Sequence, residues 1–121
     1  MDTAELPPPY LRGIALFNAG EFYACHEVLE EMWQQAAGDE RVLLHALIQT
    51  AAALHHYQRG NLKGAASIYA RARRKLAPLP AAVLGLSLSQ LTGTLEAFFS
   101  AAFAPQSSPL TYPIIQLQEK N

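Results

Sequence analysis

Phe17-Asn18-Ala19-Gly20-Glu21-Phe22-Tyr23-Ala24-Cys25 and Tyr57-Gln58-Arg59-Gly60-Asn61-Leu62-Lys63-Gly64-Ala65 stand at an offset of 40 and decide the fold. In each, an aromatic residue closes one apolar run and a glycine follows three positions later. An apolar and then a small residue open the next run. Glycine readily takes the left-handed conformation that ends a helix. The small residue lets the next helix return against the one before. Two such turns predict two helical hairpins.

Helix one is expected to start after Pro7-Pro8-Pro9 and to end near Asn18-Ala19-Gly20, since proline suits a helix start and glycine a helix stop. Helix two is expected from about Glu21 to Ala37. At about 100° per residue, Phe22, Cys25, Leu29, Met32, Trp33 and Ala36 share one face. Gly38 breaks the chain and Asp39 is placed as the cap of helix three. That helix runs from about Glu40 to Arg59. Its run Leu43, Leu44, Ala46, Leu47, Ile48, Ala51 to Leu54 leaves almost no polar face, which marks it as central. Gly60 ends it and Asn61 caps helix four, whose buried stripe is expected to be Leu62, Ala65, Ile68, Tyr69, Ala72 and Leu76. Pro78 and Pro80 interrupt the chain. Helix five is expected from Ser87 or Ser89 to Ala104, and no strand is predicted. The tail, 105–121, reads as extended and pinned by Tyr112, Ile114, Ile115 and Leu117.

The reading is therefore all-α: one domain over 1–121, with a core of about five helices over 8–104 built from two hairpins. The turn grammar is similar to that of tetratricopeptide-type repeats, but two copies are too few for a solenoid. Half of the residues are hydrophobic, enough for a single core without staples. Nine Lys+Arg against ten Asp+Glu leave a net charge of −1, which argues against an electrostatic grip on nucleic acid. One cysteine, Cys25, forbids an intrachain disulfide and suits a reducing cytoplasm. Met1 to Pro9 lack the pattern of a signal peptide. Val42 to Leu54, the most apolar stretch, is too short and too polar to span a bilayer.

The chemistry-bearing stretch is His26-Glu27-Val28-Leu29-Glu30, an H-E-x-x-E pattern followed by Trp33. His26 and Glu30 are four apart and meet on one side of a helix. If helices two and three are antiparallel around Gly38, positions summing to about 77 lie level. Gln49 and His55 then come within about a turn of His26 and Glu30. One reading is packing: an imidazole donating to Glu30 fixes helix two on helix three beside Trp33, a core anchor. The other is a pocket of His26, Glu27, Glu30, Trp33, Gln49 and His55. No cofactor can be named from the residues. A divalent metal is the candidate, and its ligands would be His26, Glu30 and His55, since zinc needs three or four such groups. Cys25 lies on the core stripe and lacks the exposure of a nucleophile. Arg71-Ala72-Arg73-Arg74-Lys75 dresses a helix C-terminus with cations, as the macrodipole favours. Gly60-Asn61-x-x-Gly64 reads as a turn, with Gly64 allowing close helix packing.

Leu16-Phe17-Asn18-x-Gly20-x-Phe22-x-x-x-His26-Glu27-x-Leu29-Glu30-x-x-Trp33 resembles the opening signature of the DUF309 proteins. Leu47-Ile48-Gln49-x-Ala51-Ala52-Ala53-Leu54-His55 and Arg59-Gly60-Asn61-x-x-Gly64-Ala65 resemble its second and third blocks. The likeness covers about residues 11 to 76 and implies a compact all-α fold. It carries over His26, Glu27, Glu30, Trp33, Gln49 and His55 as motif residues and supplies no activity. Ala46 departs from the glycine that relatives often carry before the Leu-Ile-Gln block. Two functions follow. The first is a helical module that binds a protein, a peptide or a second copy of itself, because helix five and the tail carry more apolar groups than a small surface hides. The second is an enzyme, a hydrolase being the least surprising, or a ligand-binding protein, with its site between helices two and three.

Overall fold

Gly20 and Gly60 hold φ of 78° and 81°, and each ends a helix with the same pair of hydrogen bonds. Gly20 N–H donates to Phe17 O at 3.0 Å and Glu21 N–H to Leu16 O at 2.9 Å. Gly60 N–H donates to Tyr57 O at 3.0 Å and Asn61 N–H to His56 O at 2.9 Å. This is the Schellman stop, twice, and it satisfies carbonyls that a helix end leaves bare. The structure, a computed structural model, describes residues 5–104 and 110–118. The expected tail's two outer parts, 105–109 and 119–121, lie outside the described residues, as do residues 1–4.

The elements are α1 (Pro8–Asn18), α2 (Phe22–Gln35), α3 (Gly38–Gln58), α4 (Leu62–Leu76), β1 (Ala82–Val83), β2 (Leu86–Ser87) and α5 (Leu88–Ala102). Hairpins α1–α2 and α3–α4 pack side by side, and α3 touches both α2 and α4. Leu43, Leu44, Ala46, Leu47, Ala51, Ala53 and Leu54 of α3 are buried, as a central helix requires. Gln58 Nε2 donates to Gly20 O at 3.1 Å, so one Schellman turn is tied to the other. Tyr69 Oη donates to Glu96 Oε1 at 2.8 Å, and Arg73 Nε lies 2.7 Å from the same oxygen. These polar contacts join α4 to α5.

The C-terminal segment, 110–118, is extended and crosses the turns. Asn18 and Ile115 bond through side chain and main chain, and Gln118 N–H donates to Gly85 O at 2.7 Å. The Tyr112 ring sits 5.4 Å from Phe22, 6.2 Å from Tyr57 and 5.6 Å from Phe98. Of the four pinning residues expected, Ile115 is buried and Tyr112 and Leu117 are half-buried. Ile114 is not a pin: it is 52% exposed, because consecutive extended residues point to opposite sides.

Four further expectations are corrected. Leu62 is exposed and not part of the buried stripe of α4, because it is that helix's first residue, at the open end of the hairpin turn. A two-residue ladder pairs Ala82 with Ser87 and Val83 with Leu86, where no strand was expected. Its turn holds Leu84 at φ 49° and Gly85 at φ 74°, both left-handed as a tight hairpin demands. Leucine is a poor signal for that turn, and here tertiary contact fixes it, since Tyr10 Oη donates to the Leu84 carbonyl at 2.8 Å. Asp39 does not cap α3. The cap position is Ala37, and Asp39 and Glu40 occupy the first turn, where carboxylates suit the macrodipole. Gly64 does not serve helix packing either. A Cβ there would collide with the Asn61 side chain, which caps α4 by accepting from Gly64 N–H at 3.0 Å.

Candidate functional site

Trp33 meets His45 with ring centroids 5.0 Å apart, and Tyr23 meets His55 at 5.6 Å. Both pairs sum to 78, so α2 and α3 run antiparallel within one residue of the expected register. The register is right, and three of the six candidate residues share one depression. His26, Glu27 and Glu30, with Tyr23, Glu31 and Gln34, line an open depression of about 350 Å3 on α2 alone. Gln49 and His55 of α3 are not part of it.

His26 Nε2 lies 3.6 Å from Glu30 Oε2, and the two side chains are 32% and 46% exposed. That is the contact of a loose ion pair, longer than the hydrogen bond the packing reading expected. Tyr23 stacks on His26, 6.3 Å between centroids and 7° between planes, and the same ring leans on His55. Tyr23 therefore stands with both imidazoles. Sequence reasoning passed over it, although its three-residue spacing from His26 was a signal. Among the described residues, no three His, Cys, Asp or Glu side chains are grouped so as to hold a metal ion. His26, Glu30 and His55 thus do not assemble as a ligand set.

Among the described residues, two buried atoms have no hydrogen-bond partner: His26 Nδ1 and Gln49 Oε1. Trp33 is half-buried rather than a core anchor. It packs against the core edge, with the Arg41 guanidinium 4.3 Å from its ring centroid. Arg41 Nη1 also donates to Trp33 O and Ala36 O, at 3.0 and 3.3 Å, and so closes the C-terminus of α2. Burial, then the charges of Lys75 and Arg41, hold the His45 imidazole below its ordinary pKa. Burial pushes the Cys25 thiol up to about 12, which leaves it a core side chain and no nucleophile.

A second concavity is formed by α5 and the C-terminal segment. A cleft of about 590 Å3 runs between α5 and the C-terminal segment, over Gln90, Thr94 and Ala97 and beside Ile114. Among the described residues, no Asp, Glu, Lys or Arg lines it. The sequence explains why: between residues 77 and 118 the one charged side chain is Glu96, and Glu96 faces α4. This feature was readable from the sequence and was missed, because net charge was counted over the chain and not along it.

The fold is that of a small helical protein built on two paired hairpins. The chain belongs to the DUF309 family, described as a domain of unknown function, whose model matches residues 10–68. An uncharacterized protein of Aquifex aeolicus (strain VF5) is 33% identical over 81 residues, 66% of this chain and 24% of that protein. The uncharacterized protein YpuF of Bacillus subtilis (strain 168) is 32% identical over 97 residues, 77% of this chain and 56% of that protein. The chain thus spans about a quarter and just over half of these curated relatives' lengths. The crystal structure of TTHA0068, a conserved hypothetical protein from Thermus thermophilus, is similar at a TM-score of 0.66 and 34% identity. The likeness covers 78% of this chain and 98% of that one. The family match ends within α4, so α5 and the uncharged cleft lie beyond it. Among the described residues, no helix is long and apolar enough to cross a membrane.

Proposed function

We propose that this chain is a small helical interaction module that meets a protein partner through the uncharged face of α5 and the C-terminal segment. The observation that carries this is the cleft itself: about 590 Å3, with no charged side chain among its described lining. Depletion of charge at the centre of a patch, rather than apolarity alone, is what sets interfaces apart from ordinary surface. The charges collect elsewhere, with Glu27 and Glu31 exposed on α2 and Arg71 and Arg74 exposed on α4. In this reading His26 and Glu30 serve mainly to pack α2 on α3. A cytoplasmic setting fits the lone, buried thiol.

The test is a photoreactive amino acid placed at Ala97 on the cleft or at Glu27 on α2, in the organism that makes the protein. Adducts are expected from position 97 and none from position 27. Adducts from position 27 alone would overturn the reading.

A second reading rests on the two orphaned atoms. His26 Nδ1 and Gln49 Oε1 are buried without partners, and a buried polar group left unpaired commonly signals a ligand or an ordered water. A small polar ligand along the α2–α3 seam would satisfy them. Elemental analysis and native mass spectrometry of untagged protein test this. A stoichiometric metal or small molecule, lost in Glu30→Gln, would favour the seam over the module.

A further inference from the structure

The partner can be named from the shape and charge of the same face, and this inference rests on the interaction reading above. Ile114 projects from the C-terminal segment at 52% exposure, on the rim of the cleft. The α5 side of the lining includes two small groups, Thr94 and the exposed Ala97 one turn on, between the larger Gln90 and Phe98. Gly93 is exposed as well, and a Cβ built there would meet nothing. One face therefore carries both an apolar knob and a hollow that would take it. A face that holds a feature and its complement is what a two-fold interface between identical chains requires.

We propose that the occupant of the α5 cleft is a second copy of this chain, related by a two-fold axis, with Ile114 of each protomer seated over Thr94 and Ala97 of the other. Charge supports a copy over an unlike partner. Across a two-fold axis, charged groups near the axis meet their own kind, so a self-associating face is best left without them. Among the described residues this face has none, whereas the exposed faces of α2 and α4 each carry several of one sign. Size is also adequate. Fifteen residues of helix span about 22 Å, and a segment laid alongside widens the face to about 20 Å, so its plan area is about 440 Å2. A face of that size belongs to the weak class of interface, which buries under about 1,200 Å2 in total.

The experiment is sedimentation equilibrium of the full chain at about 100 µM, where even a weak dimer is populated. Wild type is expected at twice the chain mass. Ile114→Asp and Ala97→Arg are expected at the chain mass with helical circular dichroism unchanged. A chain-mass wild type overturns the proposal, as does an Ile114→Asp protein that keeps the doubled mass. Should both variants misfold, Ala97→Cys and Ile114→Cys proteins are mixed and oxidised. A disulfide-linked pair that joins one of each supports the arrangement, and its absence overturns it. Cys25 is buried and stays out of that reaction. A chain-mass wild type whose position 97 captures a different protein in the cell would sink the second copy while sparing the interaction face. No adduct at position 97 would sink both.

Discussion

Asn18 holds the main chain of Ile115 by both ends of its side-chain amide. Nδ2 donates to Ile115 O at 2.9 Å, and Oδ1 accepts from Ile115 N–H at 2.8 Å, across a separation of 97 residues. One side chain thus replaces a neighbouring strand and satisfies both polar groups of a segment that has no ladder of its own. The α1–α2 turn places Asn18, so the first hairpin decides where the last segment of the chain lies.

Asn18→Ala removes both bonds and leaves the Ile115 amide without its partner. Two hydrogen bonds at about 1 kcal/mol each give a loss of about 2 kcal/mol. The helices should persist while amide exchange at Ile115 accelerates. Exchange at Ile115 as slow as in wild type would show that the burial of its side chain, not Asn18, holds the segment.

Gly13 and Gly93 should respond in opposite directions to alanine. A Cβ on Gly13 would sit 2.5 Å from Leu29 Cδ2, and Leu29 is 1% exposed with no room to yield. Gly13→Ala should cost about 1–3 kcal/mol through overpacking of α1 on α2. Gly93 is helical and open, so Gly93→Ala should stabilise by about 0.5–1 kcal/mol. Urea denaturation midpoints test the pair, and a harmless Gly13→Ala would mean that the α1–α2 contact is looser than described.

Stability should fall on the alkaline side. Burial raises the pKa of Cys25 to about 12, and burial likewise raises Tyr10, Tyr69 and Tyr112. A raised acid keeps its proton in the folded state after the unfolded chain has lost it. The stability it contributes is complete below the unfolded value and is lost as pH rises above it. The decline should begin near pH 9, the ordinary value for the thiol, and steepen near 10 as the tyrosines join. In Cys25→Ala the onset should move up toward 10. An onset that stays at 9 would remove the buried thiol as its cause.

The α2–α3 seam separates packing from binding. Gln49→Met removes an orphaned acceptor from the interior and should stabilise by about 1 kcal/mol if nothing satisfies it. A lower melting temperature in that variant would mean that Gln49 has a partner in solution, which the ligand reading requires. His26→Ala, by contrast, should cost stability in the packing reading. A melting temperature equal to wild type would sink it.

Much of the fold was legible because it is local. Glycine at φ 78° and 81° writes the two Schellman stops, and 3.6-residue periodicity writes the buried stripes around them. The antiparallel register of α2 and α3 followed from loop length, within one residue. The candidate site was less legible. His26 and Glu30 meet as their spacing dictates, but whether Gln49 and His55 join them depends on the rotation of α3 about its own axis. The packing of α2 and α4 on either side sets that rotation. The spacing of Tyr23 from His26 is local, but its contact with His55 is visible only once the two helices are laid together.

The sequence by itself determined the helices, their stops, their pairing into hairpins and the absence of charge from residue 77 to 118 but for Glu96, since each follows from neighbours along the chain. Only the tertiary structure decided the tight turn at Leu84, the grip of Asn18 on Ile115 and the exposure of Ile114 beside the α5 cleft. Those depend on residues 74 and 97 positions apart. Their contacts form only after the hairpins have packed, and no local propensity encodes them.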